Sequence, residues 1–396
     1  MKRGLSVLFI ACSICSNLAF AKDQKQWFNQ GSAEYFASRC NTALEPLYQA
    51  SILDGPLTSQ SHLYLAHCQS VLGQNDNAAF HLEQVEAKAL PTKADKKLFH
   101  ELKQKHKAEI DKLTAIGFSF SPYYGFTTVS PDSTKSGSSY YGGAISAYRP
   151  KWSVGLGYEG LGITMNVKNV SNYSQSMIFA QGGYFVLDTL KLSASATSVE
   201  GSTDQMKGIF VLGVQADYYI TPLIDLFVEG YSSQYPKLLA DSKYTFQYPV
   251  SATQFVIGSS FPIYNALTYG FNGAASVTSI SLNKSSDKSA VVDKSLEHDT
   301  TRFEVVLSSW CSAATASITY WAGTEVLGVR GRGAVINNST EQKTGGVKIG
   351  AGYSISKYVG VGASVSQETY KATDLTSGIY KEFTSTGGMG TLSLNW

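Results

Sequence analysis

Charge is scarce in this chain and leans to neither sign. Only 16% of its 396 residues are charged, and 32 Lys and Arg stand against 30 Asp and Glu, a formal net charge of +2. Lys2 and Arg3 account for that excess, so the remainder is near neutral. No basic stripe is left to displace counterions from phosphates, which argues against nucleic acid as a partner. Long apolar runs are missing too. Beyond the N-terminus nothing approaches the ~18 consecutive apolar residues that a membrane helix needs, so any span of a bilayer must be made of strands. Histidine is sparse where an enzyme would want it: five of the six lie in residues 22–114, which leaves His298 alone in the rest of the chain. His298 sits beside Asp299 in a polar stretch, with no serine elbow or second acid placed near it by sequence, and reads as a solvated loop residue.

What the chain has in abundance is Gly (36, against 10 Pro), Tyr (24) and aromatics in general (12%). A charge-poor mixture of Tyr, Gly and Ser suits many strands with tight turns and aromatic girdles. The first 21 residues read as an export signal: a charged Lys2-Arg3, an apolar core from Leu5 to Cys15, and a small-residue cleavage site at Leu18-Ala19-Phe20-Ala21. A rival reading makes "FIAC" a lipoprotein box acylated on Cys12, although Phe9 stands where an aliphatic residue is usual. Cys12 and Cys15 leave with the signal, and Cys40, Cys68 and Cys311 remain. Export into an oxidising space permits a Cys40–Cys68 bridge, against the alternative of two small buried core residues. Cys311 is an odd thiol with no partner in sequence reach.

Residues 22–114 are helical in pattern. In "SHLYLAHCQSVLGQNDNAAFHLEQVEAKALP", residues 61–91, Leu63, Ala66, Val71 and Leu72 form a helical stripe closed by Gly73. Asn77 is expected to cap a second helix carrying Ala78, Ala79, Leu82 and Val85, with Pro91 stopping it. The charged stretch "TKADKKLFHELKQKHKAEIDKL" then reads as one helix running to Leu113. This helix–Gly–helix–Pro layout resembles a tetratricopeptide repeat, and "ASRCNTALEPLYQASIL" resembles the second helix of a degenerate preceding repeat. The likeness lacks the usual Trp and Tyr of the first helix and carries Pro46 inside the earlier one. Fewer than three repeats cannot bury a continuous core alone. His62, His67, His81, His100 and His106 show no metal-ligand spacing, so neither a metal nor a cofactor is expected.

From Ile116 the period switches to two. "WSVGLGYE", "IFVLGVQADYYI", "ALTYGFNGAASV" and "GGVKIGAGYSIS" each set apolar and aromatic residues against Gly, Ser, Gln or charge. Strands of roughly 10 to 16 residues are joined alternately by short links (149–151, 187–189, 221–223, 262–265, 312–315, 356–358) and long ones (near 129–137, 166–173, 201–206, 237–244, 283–299, 331–343, 372–379). That makes fourteen antiparallel strands with one tidy end and one shaggy end, the pattern of a bacterial outer-membrane barrel. The fold class expected is α+β: signal peptide 1–21, helical domain 22–114 in the periplasm, outer-membrane barrel 115–396. The closing stretch, with Leu392, Leu394 and Trp396 facing lipid, resembles the outer-membrane barrel assembly signal. That resemblance implies the assembly machinery as a partner besides membrane lipid.

Parity turns Glu159, Lys191, Asp217, Glu229, Arg302, Glu304 and Lys348 towards the lumen, as pore-lining charges or as a salt-bridged filling. "GVRGRGA" (328–334) lacks a strand–helix context for phosphate binding, and no catalytic residue is expected. A tetratricopeptide-like module ahead of an outer-membrane barrel is similar in architecture to exopolysaccharide export porins and to surface lipoprotein assembly modulators. The resemblance implies that the helices recruit a periplasmic partner or cargo and the barrel passes it outward. The alternative is a non-transporting scaffold or surface protein that binds partners through its loops or helices.

Overall fold

The computed structural model describes residues 23–53, 55–130, 135–165, 172–187, 189–202, 207–221, 224–240, 247–266, 268–284, 299–326, 341–373 and 380–396. Residues 1–22 with Cys12 and Cys15, His298 and the segment 328–334 lie outside them, as do most of the long links. Six helices come first: α1 (Gln24–Phe36), α2 (Cys40–Ile52), α3 (Thr58–Val71), α4 (Asn75–Glu83), α5 (Lys93–Lys105) and α6 (Lys107–Thr114), with a 3-10 turn at Ala87–Ala89. Fourteen strands follow: β1 (Gly117–Ser130), β2 (Lys135–Arg149), β3 (Trp152–Met165), β4 (Tyr173–Leu187), β5 (Leu190–Gly201), β6 (Ile209–Thr221), β7 (Ile224–Ala240), β8 (Gln247–Asn265), β9 (Tyr269–Lys284), β10 (Asp299–Cys311), β11 (Ala314–Val326), β12 (Glu341–Ser354), β13 (Val359–Thr373) and β14 (Tyr380–Asn395).

Local chemistry sets the helix ends. The Asp23 carboxylate accepts from the Gln26 N–H at 2.7 Å to start α1, and Thr92 accepts from the Asp95 N–H at 3.0 Å to start α5. Gly73 takes φ +75° just past α3, a left-handed turn that a glycine adopts without steric cost. Because that turn reverses the chain at once, α4 begins at Asn75, and Asn77 lies inside it rather than capping it. The same helix stops at Glu83, well before Pro91, where Ser59 on α3 accepts from the Glu86 N–H at 3.2 Å and holds the exit. The single charged helix expected over 92–113 is two, α5 and α6. They break at His106, which is 2% exposed and bonded to the Ser70 hydroxyl at 2.8 Å. Consecutive helices pack on one another around Leu47, Leu63, Leu65 and Leu82. Cys40 at the head of α2 and Cys68 on α3 are joined in a disulfide.

The chain divides into two compact units. The helices form one of them together with Tyr219–Asp225 and Phe261–Asn272. Within that unit the buried Gln49 amide donates to the Asn265 carbonyl. The other unit holds most of the sheet.

The fourteen strands close into one antiparallel barrel, each paired to its sequence neighbours and β14 paired to β1. Closure leaves no open sheet edge, the condition for strands in hydrocarbon. At the seam Tyr123 pairs with Thr391 and Phe126 with Gly388. The Phe118 N–H donates to the Trp396 carbonyl at 2.9 Å, and the Trp396 N–H returns the bond at 3.0 Å. Short turns join β2–β3, β4–β5, β10–β11 and β12–β13 at one end, as the alternation of link lengths predicts. The outer face carries Ile145, Leu156, Ile178, Leu212, Val214, Phe255, Leu307, Ile349 and Val365, all exposed. Towards the turn end this belt is edged by Phe118, Tyr184, Tyr218, Tyr353 and Trp396, and further up by Tyr124, Tyr141, Tyr158 and Tyr320. Aromatic rings at both margins of an apolar band mark the two membrane interfaces.

Candidate pore lumen

Successive residues of a strand face opposite sides, so the exposed apolar parity identifies the lipid side and the other parity the lumen. Exposed Tyr158, Leu192, Leu212, Val228, Leu307 and Ile349 mark the outer parity of β3, β5, β6, β7, β10 and β12. Glu159, Lys191, Asp217, Glu229, Arg302, Glu304 and Lys348 all fall on the inner one. Leu392 and Leu394 take the outer parity of β14, paired with Val361 and Phe120, and Trp396 stacks on Phe118.

The seven charges do not converge. Glu159 accepts from the Tyr123 hydroxyl. Glu229 accepts from the Tyr231 hydroxyl at 2.9 Å. Lys191 and Asp217 stand opposite each other on β5 and β6, and Asp217 accepts from the Gln215 amide at 2.7 Å. Arg302 bonds Glu304 at 2.7 Å and lies 5.1 Å from the ring centre of Trp321. Lys348 stands opposite Thr319 and away from the others. Glu368 completes the Arg302 group, accepting from Thr344 at 2.8 Å and from the Trp321 indole at 3.4 Å. Sequence reasoning passed over it, although parity from the outward Val365 would have turned it inward.

The inner wall is layered. Across β3 to β6 the register aligns Glu159, Met177, Val199 and Ile209 in a layer towards the long-link end. Met177, Val199 and Ile209 are buried there. The next layer is Gly157, Phe179, Thr197, Val211, then Gly155, Gln181, Ser195, Gly213, then Ser153, Gly183, Ser193, Gln215. Aromatic side chains reach over glycines of the neighbouring strand. A Cβ added at Gly157 would sit 2.1 Å from the Phe179 ring, at Gly213 2.6 Å from Tyr231, and at Gly346 2.3 Å from Trp321. Cavities among the described residues open into this interior. One of about 1040 Å³ runs along β10 to β14 and is lined mainly by Ser, Thr and Gly, with Trp310, Met389 and Lys348. Another, about 190 Å³, lies against β3 to β7.

In the helical unit the histidines are dispersed. The Nδ1 atoms of His62 and His81 lie 2.9 Å apart in a hydrogen bond between the rings. Burial pushes their pKa values down to about 4 and about 3, because the charged imidazolium loses its water. His67 pairs with the Tyr35 hydroxyl at 2.7 Å, and burial again lowers its pKa. His100 is exposed. Among the described residues no three His, Cys, Asp or Glu side chains converge as metal ligands.

A closed, even-stranded barrel with an apolar belt and aromatic margins is a transmembrane barrel of the outer-membrane class. No protein-family model matches the chain, and no curated protein does. Among solved structures it is similar to the CymD monoaromatic hydrocarbon channel, at 9% identity and a TM-score of 0.46, over 73% of this chain and 91% of that one. A Pseudomonas aeruginosa FadL homologue is similar at 10% identity and a TM-score of 0.43, over 74% and 91%. A bacterial polysaccharide outer membrane secretin is similar at 9% identity and a TM-score of 0.40, over 69% and 97%. At such scores the likenesses carry no argument about cargo, and the class rests on the barrel itself.

Proposed function

We propose that this chain is an outer-membrane pore or export channel, and that its helices form a periplasmic, tetratricopeptide-like module that docks a partner or cargo. One observation carries the reading: the inner wall along β10 to β14 is built from Ser, Thr and Gly around a cavity of about 1040 Å³. Small barrels of about eight strands fill their interior with side chains, and those of about sixteen leave an aqueous channel. Fourteen strands with one bare wall stand on the open side of that divide. The reading is transport rather than catalysis, with no cofactor. A scaffold without transport is the second reading, supported by the packed opposite wall, where Val199 and Ile209 are 0% exposed.

The test is single-channel conductance of the purified protein in planar bilayers, with and without residues 22–114. Stable openings in both forms support a pore with a docking module. A large rise on removal makes the helices a plug instead. Silence in both forms favours the scaffold.

A further inference from the structure

The smaller lumenal cavity has a definite chemistry. Its floor holds Phe179 and Tyr231, and its walls hold Gln181, Gln215, Ser193 and Ser195. Both rings reach over glycines, Phe179 over Gly157 and Tyr231 over Gly213, and both line the cavity. Tyr231 is held by its hydroxyl bond to Glu229, and Gln215 by its bond to Asp217. These anchors set the orientation of the groups before anything binds. Among the described residues, the charged side chain lining the cavity is Lys191, which faces Asp217 across the strand pair. With Lys191 set against Asp217 and Glu229, an ionic ligand meets groups of both signs. A hydrocarbon would strip water from two amides and several hydroxyls without returning hydrogen bonds, which is unfavourable. At about 190 Å³ the space falls below the ~300–1,000 Å³ of drug-sized sites and takes one ring-sized group at a time.

We propose that this cavity is a subsite for one neutral sugar ring of a glycan. The inference rests on the pore reading for its place in a path, but not for the binding itself. A pyranose presents polarised C–H groups on its faces and hydroxyls around its rim. The C–H faces stack on the negative faces of Phe179 and Tyr231, and the rim hydroxyls exchange hydrogen bonds with Gln181, Gln215, Ser193 and Ser195. Neutral partners of both kinds suit a hydroxyl, which donates and accepts at once. Weak single-ring subsites also suit a conduit, since cargo must leave as readily as it enters.

The probe is maltohexaose, with ion-current block in planar bilayers and calorimetry in detergent as separate readouts. Maltohexaose should block the wild-type current and give binding heat. Phe179→Ala and Tyr231→Ala should each weaken binding about tenfold, the upper end of one aromatic contact. Gln181→Leu, a smaller perturbation of the fold, should weaken it in the same direction, and the lipid-facing Leu212→Ala should leave it unchanged. Conductance without block or heat overturns the sugar site and leaves the pore standing. Heat that the variants reduce, with no conductance, keeps the sugar site and removes the pore. Neither signal overturns both. Displacement of maltohexaose by toluene, or binding that survives all three lumenal variants, also overturns the proposal.

Discussion

Shortening the chain by Trp396 separates two contributions that a point substitution cannot. The residue makes two backbone hydrogen bonds with Phe118, at 2.9 and 3.0 Å, and its ring stacks on Phe118 at 6.3 Å between centroids and 16° between planes. Trp396→Ala removes only the ring, a loss of about 1 kcal/mol for an aromatic pair. Truncation after Asn395 also removes both backbone bonds, about 1 kcal/mol each, for a total of about 3 kcal/mol. The larger cost of a buried unpaired amide does not apply in full, because Trp396 is 58% exposed and water can re-pair the freed groups. Trp396→Phe should fall within about 0.5 kcal/mol of wild type. The assay is urea unfolding from lipid vesicles, followed by heat-modifiable gel mobility and fluorescence. If truncation and Trp396→Ala destabilise equally, the backbone pair contributes nothing to the seam and the closure argument fails.

Three further outcomes are expected. Replacing Cys40 and Cys68 by Ser opens a link across a sequence separation of 28, worth about 3–4 kcal/mol by loop-closure entropy; limited proteolysis of the helices should accelerate, and no change would show that the bridge is dispensable. Acid should loosen the helical unit. The folded pKa values of His62 and His81, about 4 and about 3, lie below the unfolded value of 6.5, so the unfolded state binds more protons in between. That stability is complete above about pH 6.5 and falls away as pH drops towards 4, by on the order of 3 kcal/mol for His62. Denaturation at pH 7 and 4.5 reads it, and His62→Gln should flatten the difference; an equal slope in the variant would assign it elsewhere. Lys191→Glu and Lys348→Glu should move the reversal potential towards cation selectivity, since a polar lumen focuses the field of each charge, while Leu212→Ala should leave it alone.

Much of the barrel was legible because its physics is local. A residue's side of the sheet follows from parity alone, so Tyr158 and Leu212 could be turned to lipid, and Glu159 and Asp217 to the lumen, with no knowledge of the rest. The link lengths are local too, and "RPK" and "SKY" fell at the β2–β3 and β12–β13 turns. The helix boundaries were less legible because tertiary bonds set them. Nothing in the stretch around His106 announces a break, since the cause is Ser70, 36 residues away. Asn77 has the right chemistry for a cap, but Gly73 had already turned the chain, so the helix began without it.

The lumen was half legible for the same reason. Parity tells which side chains point inward but not how far they reach, and reach depends on the residue opposite on the next strand. Phe179 and Gly157 are 22 positions apart, and only the β3–β4 register makes them neighbours. A phenylalanine facing inward from β4 reads as an obstruction until the glycine beneath it is known. With that glycine it becomes a tile of the wall. The 36 glycines therefore have a use beyond turns. Placed on inward positions beside aromatics, as at Gly157, Gly213 and Gly346, they leave room for a neighbouring ring that any Cβ would strike. Charge then stands only at intervals, with Lys191 opposite Asp217 and Arg302 bonded to Glu304, on walls whose cavities are lined mainly by Gly, Ser, Thr and other uncharged side chains.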